Sequence, residues 1–208
     1  MPSVIQKFRE KQLVTAYLRV YSILNQAYNR AIPEYGTFDM WEKTDNDTYN
    51  KLKPYLVLSA DCPPGESNEK CIYTDSDYVF LNNEKDGNFN FAQNAARDKQ
   101  PAVRLISGET ILFYRAGHGV DFMVDLNGNK GPNKIGEDFQ FLSFNNGQNN
   151  KILPGPTWSN NRDDGGNAKQ LCQTSAFWIP GSTCGYWILK HHNMDYLHMK
   201  DEEIQKNW

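Results

Sequence analysis

The sequence predicts an α+β domain, and three observations carry that prediction. The chain opens with a glycine-free segment whose apolar residues fall at helical spacing. After Gln100 the spacing changes to the alternation of strands, and the four cysteines fall into two close pairs. A helix followed by consecutive strands predicts segregated layers, the helix lying across an antiparallel sheet. With 208 residues the chain is long enough for one domain with a full core. Its aromatic content of 13% supplies buried area that disordered chains lack. A net charge of −3 without a basic cluster argues against nucleic acid as a partner. No apolar run reaches the length of a membrane span. No repeat or linker divides the chain. It reads as one domain, 1–208, with an N-terminal helix at 1–32, a helix and loop region at 33–100, a sheet at 101–145, and a C-terminal disulfide loop and tail at 146–208.

The first element is the helix. Pro2 suits a first helical turn, and Pro33 ends the pattern. Leu13, Tyr17, Val20, Leu24, Ala27 and Ala31 alternate steps of four and three along one face, which Val14, Leu18, Tyr21 and Tyr28 widen. At 1.5 Å per residue this helix is roughly 45 Å long. Its second half reads as a core helix. Its first dozen residues are polar and basic, with apolar positions at Val4, Ile5 and Phe8, and have little to pack on.

Next, Asp45, Asn46 and Asp47 form an N-cap cluster ahead of Tyr49, Leu52, Tyr55 and Leu56 at helical spacing, with Pro54 placed to kink the helix. A cysteine loop and a polar stretch with an apolar patch at Phe89 and Phe91 follow. Then AVRLIS, a turn at Gly108-Glu109, and TILFYRAG read as a hairpin. GVDFMVDLNG and EDFQFLSF extend it to a four-stranded meander with one buried face.

Cys62 with Cys71, and Cys172 with Cys184, bound short loops rich in Pro, Gly and Ser, without the C-x-x-C spacing of zinc or redox sites. An even count with local pairing predicts two disulfides, Cys62–Cys71 and Cys172–Cys184, in an oxidising compartment. Four reduced thiols is the other reading.

Two motifs resemble a family. DLNGNKGPNKIGEDFQF, residues 125–141, is similar to the D-x-N-G-x-x-G-P-N-x-x-G-x-D-x-F segment of bacterial type IV pilin-like proteins and type II secretion pseudopilins. CGYWILKHHNMDYL, residues 184–197, resembles the ending of the same group. The opening PSVIQKFREK resembles the stretch just past the membrane half of a pilin's first helix. Residues 33–100 match only loosely. The resemblance implies a pilin-like fold in which 1–32 is the lower half of a longer helix. The upstream apolar half, its prepilin-peptidase site and its methylated start are absent from this sequence. It further implies a structural subunit of a type IV pilus or type II secretion pseudopilus, not an enzyme. Such a subunit is partnered by other pilin or pseudopilin subunits and anchored in the inner membrane, with a periplasmic or extracellular head in a cell-surface filament. Val4, Ile5 and Phe8, with Lys7, Arg9, Glu10 and Lys11, would then lie where the helix leaves the core and meets its neighbours. A solvated helix end is the plain alternative for the charged four.

The motif at 125–138 places oxygen ligands at Asp125, Asn127 and Asn129, with Asp138 further on, a spacing that echoes a calcium loop. A turn capped by Asp and Asn side chains is the other reading, with no cofactor at all. Asp163 and Asp164 lack ligand spacing and read as an exposed loop. His118 sits between glycines, while His191, His192 and His198 cluster near Asp195. No Ser or Cys nucleophile stands in a recognisable elbow, and His191 and His192, as sequence neighbours, point apart. Met194, Tyr196 and Leu197 read as packing residues, and DEEIQKNW as a polar tail. A second class of function remains, a secreted calcium- or glycan-binding module presenting Trp41, Trp158 and Trp178.

Overall fold

A computed structural model of the chain describes residues 3–72, 78–85, 99–117, 119–128, 130, 133–145, 150–159, 168–176 and 179–208. Helix α1 spans Val4–Tyr35, 32 residues, capped by Ser3, whose hydroxyl accepts from Gln6 N. It runs through Pro33 rather than ending there. The missing N–H deprives only the carbonyl of exposed Asn29, which faces water in the last turn, and Gly36 then closes the helix at φ 73° by donating to Ile32 O. All six residues of the expected stripe are buried, together with Val14, Ala16 and Tyr28. Helix α2, Asp45–Leu52, is capped by Thr44 rather than by the acidic cluster after it. Asp47 instead binds the Lys51 ammonium. The helix stops at Leu52, and Pro54 sits in a separate 3₁₀ turn, Lys53–Tyr55, so there is no kinked helix.

Strands β1 (Leu58–Cys62), β3 (Ala102–Leu105), β4 (Thr110–Ala116), β5 (Gly119–Asp125), β7 (Phe139–Asn145) and β8 (Ile152–Pro154) form one antiparallel sheet in the order β1-β3-β4-β5-β7-β8. The expected four-stranded meander is its centre. Short strands β2 (Tyr78–Val79) and β6 (Asn133–Lys134) pair parallel as a second, two-stranded sheet.

The expectation of one buried face is corrected: all seven residues of β5 are buried. Val103, Ile111, Phe113, Phe122, Leu142 and Phe144 face α1 and α2 in the main core. On the other face, Leu112, Met123, Phe139 and Phe141 pack under Tyr78, Ile135, Ile179 and the Cys62–Cys71 loop. That outer cover has no periodic pattern to announce it. It comes from irregular segments held by the disulfide.

Both disulfides are formed, and no described cysteine is free. The second joins α3 (Ala168–Leu171), through Cys172, to the start of α4 (Cys184–His191). Within α4, Gly185 passes directly over Tyr17; a Cβ there would lie 2.0 Å from the Tyr17 hydroxyl oxygen. Met194 and Tyr196 are buried, the latter in a 3₁₀ turn, Asp195–His198. The C-terminal residues are not a loose tail. Asp201–Asn207 form α5, which buries Ile204 and begins with Lys200 N donating to Glu203 Oε2. The Asp201 carboxylate accepts from the backbone N–H groups of Thr174 and Ser175, tying α5 to the disulfide segment. Phe89 and Phe91 lie outside the described residues. Among the described residues no helix is long and apolar enough to cross a membrane.

Candidate functional site

The start of α1 stands apart from the core. Val4, Ile5 and Phe8 are 85%, 83% and 63% exposed, and burial begins only at Leu13. At 3.6 residues per turn, these three centre about 140–150° around the helix from the buried stripe. The apolar patch therefore points away from the protein's own core. Its neighbours around the helix are Lys7 and Lys11, which form no ion pair among the described residues.

Arg9 and Glu10, in contrast, fall in the sector of the buried stripe and turn inward. Both are engaged by partners within the chain. Arg9 Nη2 lies 3.3 Å from Asp138 Oδ2 and 3.5 Å from Glu137 Oε1. Glu10 Oε1 lies 2.8 Å from His198 Nε2. Between α1 and the C-terminal turn is a groove of about 400 Å³, lined in part by Lys7, Lys11, Met194 and Asp195.

The loop that Arg9 reaches is the one singled out for its oxygen ligands. Asp125 ends β5 on the outer face, in one cross-strand row with Arg104, Thr110 and Phe139. Its Oδ1 accepts from Asn127 N at 3.1 Å. Asn127 Nδ2 donates to Asp138 Oδ2 at 2.7 Å, and Lys134 N donates to Asp138 Oδ1 at 2.6 Å. Asp125, Asn133 and Asp138 are all buried, and the Asn133 amide stands beside the Tyr78 hydroxyl. The loop is held against the C-terminal segment by Tyr196, whose hydroxyl donates to Gly136 O at 2.7 Å, and by a backbone contact in which a Cβ on Gly136 would meet Gly181 Cα at 2.8 Å.

Burial raises the Asp125 carboxyl well above the usual carboxylate range, and the Asp138 charge adds to it. Asp138 is pushed up to about 6, chiefly by burial and further by Glu137; hydrogen bonding from Lys134 N and the Arg9 charge work against the rise. Three buried oxygens here have no hydrogen-bond partner: Asp125 Oδ2, Asn127 Oδ1 and Asn133 Oδ1. Among the described residues no three His, Cys, Asp or Glu side chains gather around one point. The set is two carboxylates and two amides.

The remaining expected positions do not assemble. His191 stacks on Trp187 with ring centroids 4.2 Å apart, His192 takes the left-handed C-cap position of α4, and His198 faces Glu10. Trp41 is buried rather than presented for a glycan; its ring packs edge-on against Tyr28, Phe38 and Phe144, and its indole N–H donates to Gly36 O. Trp158 is half-buried against the outer core. His118, Asn129, Asp163, Asp164 and Trp178 lie outside the described residues.

Sequence reading missed Asn133 as a member of the loop, although it continues the odd-numbered run 125, 127, 129. It also missed that Val4, Ile5 and Phe8 are out of phase with the core stripe, which the spacing alone contains. Compared with protein-family models, curated proteins and solved structures, the chain matches none.

Proposed function

We propose that this protein is a structural subunit that assembles by packing the start of α1 against neighbouring subunits, as pilin-like and pseudopilin proteins do. The observation that carries the reading is the phase of Val4, Ile5 and Phe8. A helix end that needed only solubility would bear polar residues there, whereas this one points three large apolar side chains away from its own core. Lys7 and Lys11 flank the patch and supply charge for pairing across the contact. Arg9 and Glu10 hold the helix end to the head, so the patch is presented at a fixed angle. In this reading an upstream apolar helix half anchors the subunit in the inner membrane, with the disulfide-bonded head in the periplasm or outside the cell.

The test is N-terminal sequencing and intact mass of the native protein from membranes of cells that make it. The reading expects an apolar helical extension upstream of residue 1, about 20 residues or more, enough to span a bilayer. A mature chain left by a signal peptidase, with no such extension, would overturn the anchored-filament reading.

A further inference from the structure

We propose that the groove between α1 and the C-terminal turn binds a small zwitterion with an apolar body, of the class of apolar α-amino acids and short peptides. The groove encloses about 400 Å³, a volume suited to a small molecule. Its two walls carry opposite charge. Lys7 and Lys11 stand one turn apart on α1, and Asp195 stands on the turn that faces them. None of the three forms an ion pair among the described residues, although they line one groove. Two ammonium groups four positions apart on a helix repel each other, and the carboxylate across the gap stands beyond pairing distance. Glu10, the other acid in the lining, is already matched: its Oε1 lies 2.8 Å from His198 Nε2.

The buried part of the lining is apolar, with Met194 1% and Val14 7% exposed. His192 lines the groove from the end of α4 at φ 56°, a left-handed position where glycine is the relaxed choice. A histidine there carries a backbone cost and adds an imidazole to the groove. These features select the ligand. An anion alone meets the Lys7 and Lys11 ammonium groups but is opposed by Asp195. A cation alone pairs with Asp195 and faces two lysines. A molecule with both charges satisfies both walls: its carboxylate accepts from Lys7 and Lys11, its ammonium donates to Asp195, and its body covers Val14 and Met194. The inference rests on this groove and does not depend on the assembly reading, although a ligand and a neighbour draw on the same two ammonium groups.

The experiment uses the full 208-residue chain, labelled with nitrogen-15 and titrated separately with leucine and with leucyl-leucine. Amide shifts are expected to saturate within residues 7–15 and 192–198, and the tighter ligand reports the span between the walls. N-acetyl-leucine lacks the ammonium and isoamylamine lacks the carboxylate, so each is expected to bind about fivefold more weakly than leucine. Free glycine, without the apolar body, is expected to bind about tenfold more weakly. Lys7→Gln, Lys11→Gln and Asp195→Asn, all at exposed positions, are each expected to weaken leucine about fivefold. Asp195→Asn separates the two chemistries, because a plain anion site tightens when that carboxylate is removed. No saturable shifts with either ligand overturns the proposal, as do shifts confined to residues outside the groove. N-acetyl-leucine binding as tightly as leucine, or tighter binding by Asp195→Asn, also overturns it.

Discussion

The two halves of α1 obey the same helical geometry and make opposite use of it. From Leu13 onward the apolar residues fall in phase with the sheet and nine of them are buried. Before Leu13 the apolar residues fall on the far side, and Arg9 and Glu10 pair with the head. The helix does not fray between them; its hydrogen-bonded ladder starts from the Ser3 cap. The lesson is that phase, not hydrophobicity, separates a residue that builds the core from one that faces away from it. Both halves contain Val, Ile, Leu or Phe side chains, and only their angle around the axis tells which are which.

Substitutions on either side of Leu13 sharpen that contrast. Leu24→Ala, in the buried half, is expected to cost about 3–5 kcal/mol in urea unfolding. Phe8→Ala is expected to stay within about 0.5 kcal/mol of the wild type. A large loss from Phe8→Ala would mean that the helix start belongs to the core after all. Replacing Cys172 and Cys184 together by Ser is expected to cost about 3 kcal/mol, since it frees the loop that ties α3 to α4 over the buried half. An unchanged denaturation midpoint would show that the bridge contributes nothing there.

The two faces of the sheet extend the comparison. The inner face is apolar almost throughout, while the outer face buries Asp121 and Asp125. Burial pushes the Asp121 carboxyl up to about 7, against hydrogen bonding from Thr157. An unfolded aspartate titrates near pH 4, so the folded chain holds this proton longer. Its contribution is therefore present below about pH 4 and is lost as the pH rises toward 7. Melting temperature is expected to fall over that window, and Asp121→Asn to make the slope shallower. An identical slope in the variant would mean that Asp121 is not the group responsible. A modest effect is expected at Tyr17, whose hydroxyl is buried without a partner under Gly185. Tyr17→Phe is expected to gain up to about 1 kcal/mol, and a loss would mean that the hydroxyl is bonded.

Much of this architecture was legible from residue spacing. The buried stripe of α1 and the hairpin around Gly108 are local patterns, repeated often enough to stand out. What spacing did not disclose is what depends on distant pairs. Arg9 meets Asp138 across 129 positions, and nothing near either residue announces the other. The outer cover escaped for a related reason: Tyr78, Ile135 and Ile179 come from three irregular segments and share no period. Helix α5 carries a single buried apolar residue, Ile204, in an otherwise polar run, too little for a stripe. The run of Asp and Asn side chains in the 125–138 loop was visible as spacing, but the burial and unpartnered atoms of Asp125 and Asn133 belong to the folded chain.

The claim that the early half of α1 is an interface is tested most directly by placing a photoreactive benzoyl-phenylalanine at position 8 in cells that make the protein, with the same residue at exposed position 26 as the reference. Irradiation is expected to cross-link position 8 to the helix of a second subunit and to leave position 26 uncoupled. Equal coupling from both positions, or coupling from neither, would contradict the account.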